Sequence, residues 1–152
     1  MGLDMYLNKR HYIGAKWEHS EVNGNVTITV KGKPINIIFD RIQYIEEEIV
    51  CWRKANAVHK WFVDNCQNGI DECQRSYVDY EQLKELLSLV KRIKANPRLA
   101  KELLPVQSGC FFGGIEYDEG YFEKLDFTIE QLEKILAEPE AELSEYEYHS
   151  SW

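Results

Sequence analysis

Residues 50–65 read VCWRKANAVHKWFVDN, with two tryptophans, a histidine and three cations in one short segment. Ile49, Trp52, Ala55, His59 and Phe62 recur at three- and four-residue spacing, which predicts a helix from about Glu47 to Asn65. On such a helix Trp52, Ala55, His59 and Phe62 form one stripe, and Arg53, Asn56 and Lys60 form the adjoining one. Two readings of this pattern stay open. The aromatic stripe can face a sheet while the cations lie solvated along its flank. Alternatively, a flat π-system stacks on Trp52 while Arg53 and Lys60 meet a negative group, which is what a nucleotide-like ligand requires.

Towards the N-terminus the period changes from helical to two. Leu3, Met5 and Leu7 alternate with Asp4, Tyr6 and Asn8, predicting a strand over 2–8. Residues 14–24 are polar and read as a connection. Val26, Ile28 and Val30 alternate with threonines and predict a strand, KGKP at 31–34 a reversal, and Ile35, Ile37 and Phe39 its hairpin partner. Arg41 to Ile45 is read as a further extension of the sheet.

Towards the C-terminus, QNG at 67–69 predicts a helix stop at Gly69. A connection over 70–78 holds a short extended piece at Ser76–Val78. Asp79 with Gln82 forms a capping-box pattern ahead of a stripe of Leu83, Leu86, Leu87, Val90 and Ile93. Asn96-Pro97 breaks that helix, and a short one follows through Leu103 and Leu104. QSGCFFGGIEY at 107–117 reads as a short buried strand between glycines. A last helix over about 118–137 buries Phe122, Leu125, Ile129, Leu132 and Leu136, and the acidic residues 138–152 read as a mobile tail. Strands first and helices later predict an α+β class, a mainly antiparallel sheet of four to six strands packed by three or four helices, in a single domain over 1–137.

Length and composition bound the function. The chain has 152 residues, 44% hydrophobic and 12% aromatic, which a packed core needs and a disordered segment lacks. A net charge of −8 argues against general nucleic-acid binding, and no apolar run reaches the roughly 20 residues of a membrane span. Without a basic, apolar leader at the start, Cys51, Cys66, Cys73 and Cys110 are expected as reduced thiols in a cytoplasm. They form no CxxC pair, and His11, His19 and His149 show no metal spacing, so no metal and no cofactor are expected. EEE at 46–48 reads as a solvated first helical turn.

The candidate ligand-binding set is Trp52, Arg53, Asn56, His59 and Lys60 from the central segment, with Gln107, Ser108, Gly113, Tyr117 and Asp118 from the glycine-rich stretch. Glycines at 109, 113 and 114 permit close backbone approach, and bare N–H groups there cradle an anion. His59 has a ring suited to acid–base work, with Asp118 or Glu119 as its partner. No HExxH, GxSxG or EF-hand pattern is present, so no catalytic residue is assigned.

MGLDMYL at the start, CWRKANAVHKWFVDN in the middle and LLPVQSGCFFGGIEYDEGYF later together resemble a family of small proteins of tailed bacteriophages and prophages, which carry a YWRKANxIHxWFV block. Cys51 stands where tyrosine is usual. The resemblance implies a phage origin and a host-cell cytoplasm, but no reaction. In that setting the candidate set suggests a binding protein for a small anionic, nucleotide-like ligand, sequestering a signal of host defence. The alternatives are an enzyme acting on a nucleotide or phosphoester through His59, and a module that contacts a host protein through the acidic surface and tail. Homo-oligomerisation is left open.

Overall fold

The alternation at Leu3, Met5 and Leu7 becomes β1, Asp4–Tyr12, with these three side chains fully buried on one face. The computed structural model describes residues 2–18 and 27–152, and its strands and helices make an α+β fold. Two compact units divide it, one comprising Met1–Lys9 with Glu48–Trp152, the other Arg10–Glu47.

Most of a four-stranded antiparallel sheet belongs to the first unit; its order is β4-β1-β6-β5, where β4 is Tyr44–Arg53, β5 Ser76–Val78 and β6 Glu145–Ser151. Buried side chains alternate along each strand: Val50 and Trp52 on β4, Tyr146, Tyr148 and Ser150 on β6, Val78 on β5. The reverse face is partly open, with Tyr6 and His149 stacked at 4.8 Å. Helices α1 (Asn56–Cys66), α2 (Tyr80–Ala95), α3 (Ala100–Leu103) and α4 (Glu119–Leu136) complete the unit. Val58 and Phe62 of α1, Leu83, Leu86, Val90 and Ile93 of α2, and Leu125 and Leu132 of α4 join the strand residues in one core.

Several local expectations hold. The Asp79 carboxylate accepts from the Gln82 N–H at 2.7 Å and the Gln82 side chain accepts from the Asp79 N–H at 3.0 Å, a reciprocal cap that starts α2. Gly69, at φ 74°, closes α1 by donating to the Val63 carbonyl, and Ser76–Val78 is extended.

The segment that opened the reading is divided differently. Glu47–Arg53 is not the start of a helix but the second half of β4, because Val50 and Trp52 bury on alternate positions of the sheet. Lys54, at φ 53°, then breaks the strand and the helix begins at Asn56. The three-residue spacing of Ile49, Trp52 and Ala55 coincided with a period-two pattern that long-range pairing favoured. The stretch 107–117 is irregular rather than a strand, with Phe112 buried and Phe111 exposed. On α4 the fully buried positions are Tyr121, Leu125, Thr128, Leu132 and Ile135, while Phe122, Ile129 and Leu136 pack at the core's margin.

Residues 138–152 do not trail away. They supply β6, which pairs between β1 and β5, and Tyr148 lies stacked on Phe62 at 4.0 Å, a contact worth about 1 kcal/mol beyond its buried area. The glutamates that suggested a solvated tail occupy the alternate positions Glu145 and Glu147, which leave the tyrosines facing the core. The Lys9 ammonium meets the Glu138 carboxylate at 2.8 Å.

In the second unit β2 (Ile28–Val30) and β3 (Lys33–Ile35) form the expected hairpin in the register Ile28↔Ile35, Val30↔Lys33. Lys31 (φ 50°) and Gly32 (φ 75°) make the two-residue turn, both in the left-handed region that a tight hairpin demands. Ile37 and Phe39 lie beyond the pairing, Phe39–Arg41 is a 3-10 turn, and only Tyr44 and Ile45 of the expected extension are strand. Val26, His19 and much of the 14–24 connection lie outside the described residues.

A chain ending at Ala137 should lose the strand between β1 and β5. The expected result is no cooperative thermal transition by circular dichroism where the full chain shows one; a truncated chain melting at the full-length temperature would sink this account of the sheet.

Candidate functional site

Helix α1 begins without a capping side chain, since its N-cap residue is Ala55. The first-turn N–H groups of a helix have no partner within it, and they carry its positive dipole end. At α1 these groups border a recess of about 140 Å³ lined by Lys54, Ala55, Asn56, Ala57 and Val58, by Val106, Gly114 and Glu116 of the irregular stretch, and by the start of α4. Two cations reach it. Lys54 has no carboxylate partner among the described residues, and Lys124 meets only the Gly120 carbonyl at 3.0 Å. Glu116 and Asp118 are also on the wall, but Asp118 is engaged as the cap of α4, accepting from the Tyr121 N–H at 3.1 Å.

Asn56 builds the wall opposite. Its amide donates to the carbonyls of Phe112 (3.1 Å) and Gly114 (2.9 Å), and its side-chain oxygen accepts from the Gln107 N–H (3.1 Å). One buried side chain thus ties the irregular stretch to the helix start. Gly113, at φ 97°, packs where a Cβ would lie 3.0 Å from the Lys54 Cβ and 3.2 Å from its carbonyl, so glycine is needed for both reasons. Lys54 and Phe111 both hold positive φ without being glycine, the kind of local strain that concentrates at binding sites. The Tyr117 hydroxyl accepts from the Val106 N–H, and the Tyr121 hydroxyl donates to the Leu104 carbonyl. Burial pushes the Tyr121 phenol well above its ordinary value, as suits a neutral donor.

The other expected residues are placed elsewhere. Trp52 is buried and donates to the Thr128 hydroxyl at 3.0 Å, so its ring is not open for stacking, although it forms part of the wall of the groove beside Arg53. Arg53 is exposed and paired with Asp4 at 2.9 Å. It edges a shallow groove of about 320 Å³ with Cys51, Glu123, Lys124 and Phe127, and it does not converge with residues 107–114. Lys60 pairs with Asp64 at 2.7 Å, one turn along α1, and Ser108 is exposed without lining the recess. The expected stripe of Arg53, Asn56 and Lys60 therefore does not exist, since β4 ends and α1 begins between the first two.

His59 is fully buried. Its Nδ1 lies 2.7 Å from the Tyr148 hydroxyl and its Nε2 2.8 Å from Asp71, whose other oxygen accepts from the Trp152 indole at 3.1 Å. A neutral imidazole that accepts from Tyr148 and donates to Asp71 satisfies all three groups. Burial, reinforced by the Asp71 charge, raises the Tyr148 phenol well above its usual value, which keeps it a donor. The partner of His59 is Asp71, not Asp118 or Glu119, and both ring nitrogens are engaged inside the core. Lys54, Glu116 and Lys124 were not among the expected site residues. Lys54 stood inside the central segment, but its role depends on the strand ending there, and Lys124 becomes relevant only through tertiary packing of α4.

No group of histidine, cysteine and acidic side chains among the described residues could hold a metal ion, and no described helix is long and apolar enough to cross a membrane. No protein-family model, curated protein or solved structure matches this chain.

Asn56→Ala removes three bonds and leaves buried backbone groups unpaired. It should lower unfolding stability by about 2–3 kcal/mol, read as a smaller urea midpoint at unchanged slope. An unchanged midpoint would show that the side chain does not hold the wall.

Proposed function

We propose that this chain is a binding protein for a small anionic, nucleotide-like ligand whose phosphate or carboxylate head enters the recess at the start of α1. The observation that carries this reading is the meeting of an uncapped helix N-terminus with Lys54 and Lys124, two cations lacking a carboxylate partner among the described residues. The recess, at about 140 Å³, is smaller than the roughly 300 Å³ at which whole-ligand sites begin, so it takes a head group. The groove at Arg53 and Phe127 shares Ala55 and Lys124 with it and gives the remainder of the ligand a partly apolar, cationic track. The net charge of −8 favours a compact anion held by local donors over a nucleic-acid strand.

The resemblance to tailed-phage proteins supplies the setting, the cytoplasm of an infected host, and a purpose, sequestration of a nucleotide signal made by host defence. Binding is favoured over turnover because His59, the expected acid–base residue, is committed within the core.

Isothermal calorimetry against inorganic phosphate, ADP-ribose and a cyclic dinucleotide tests this reading. We expect binding by at least one of the two nucleotides, weakened at least about tenfold, or 1.4 kcal/mol, in the Lys54→Gln/Lys124→Gln double variant. Arg53→Gln should cost less, because that side chain is exposed and already paired with Asp4. Folded protein that gives no heat with any probe, or a double variant that binds equally well, would overturn it; a ligand recovered cleaved would favour the enzyme.

A further inference from the structure

Among the described residues, nine of the sixteen exposed large hydrophobic side chains belong to Arg10–Glu47, a quarter of the chain. Trp17, Ile28, Val30, Ile35, Ile37 and Ile38 are among them, and no apolar side chain among the described residues of that unit is buried. Apolar side chains so exposed favour covering by another surface. Its sequence carries five Lys/Arg and five Asp/Glu, so the whole excess of negative charge lies on the other unit. Two copies of the hairpin unit therefore approach without net repulsion between them.

The hairpin also distinguishes its two edges. With a two-residue turn at Lys31-Gly32, Val30 and Lys33 are the pair that exchanges hydrogen bonds, so the next pair, Thr29 and Pro34, points its backbone groups outward. On β3 the outward position is proline, which has no N–H to give and so blocks that edge. On β2 the outward position is Thr29, with an N–H and a carbonyl that no described strand pairs.

We propose that β2 is a self-pairing edge, where a second copy of this chain docks antiparallel along Ile28–Val30 about a two-fold axis at Thr29. The two Thr29 residues then exchange N–H and carbonyl bonds. Ile28 of each copy lies opposite Val30 of the other, an aliphatic pair on the same face as Ile35. No charged residue lies within β2, and the antiparallel arrangement sets the Lys31 side chains at opposite ends of the joint strand pair. The product is a four-stranded sheet made of two hairpins.

Sedimentation velocity of the full chain across a concentration series tests this. The expected result is a monomer–dimer equilibrium whose dissociation constant rises at least about tenfold in Thr29→Pro and in Ile28→Lys, and stays put in Thr29→Val. Thr29→Pro removes the outward donor; because it could also loosen the hairpin, Ile28→Lys keeps every backbone donor and places like charges beside the axis. A chain that stays monomeric up to its solubility limit overturns the proposal, as does a dimer indifferent to both substitutions. A monomer that floats with vesicles of anionic and zwitterionic phospholipid would assign the apolar face to lipid instead.

Discussion

The sheet exists because its last-made strand lies inside it. β6 separates β1 from β5, so neither of those strands has its full set of backbone partners without it. Its two buried tyrosines then organise what lies above. Tyr146 donates to the Ala141 carbonyl, while Tyr148 stacks on Phe62 and bonds to His59. Through His59 the strand also fixes Asp71 and the C-terminal Trp152, and the ring of His59 meets Phe112 edge-on at 5.5 Å. One strand thereby supports the floor of the core and the inner side of the irregular stretch that carries Gly113.

The recess is a product of interruption rather than of regular structure. β4 stops at Arg53 and α1 starts at Asn56, and between them Lys54 takes a left-handed conformation against Gly113. A continuous helix would have satisfied the first-turn donors internally and placed Lys54 on a solvated flank. The break frees those donors, and Asn56 spends its own side chain on the opposite wall instead of on ligand. Trp52, the most conspicuous residue of the segment, contributes bulk to the core and one bond to Thr128. The most prominent side chains in the sequence are the structural ones here, and the less prominent lysines line the recess.

Much of this was legible where short-range chemistry decides the outcome. The α2 cap, the Gly69 stop, the Ser76–Val78 strand and the hairpin turn all follow from residues within a few positions of one another. What escaped depends on distant partners. Residues 47–53 satisfy a period of two as well as a helical period, and only pairing with β1 selects the strand. Residues 145–151 alternate glutamate, tyrosine and small polar groups, a pattern that is a solvated tail in isolation and a central strand once two neighbours are present. Of the expected site, Asn56 and Asp118 line one recess, while Gln107 bonds to Asn56, Gly113 packs against Lys54 and the Tyr117 hydroxyl bonds to Val106 beside it; Trp52, Arg53, His59, Lys60 and Ser108 do not line it. The first group lies at chain breaks, which sequence marks; Trp52 and Arg53 were joined to His59 and Lys60 by one long helix, of which only the part from Asn56 exists.

The position of β6 has a consequence for how the molecule comes into being. Synthesis delivers β1 well before its neighbour β6, so one edge of β1 stays unpaired until residues 145–151 have been made. Until residues 145–151 are available the four-stranded sheet cannot be assembled. A polypeptide halted before them remains an open, aggregation-prone intermediate for quality control to clear.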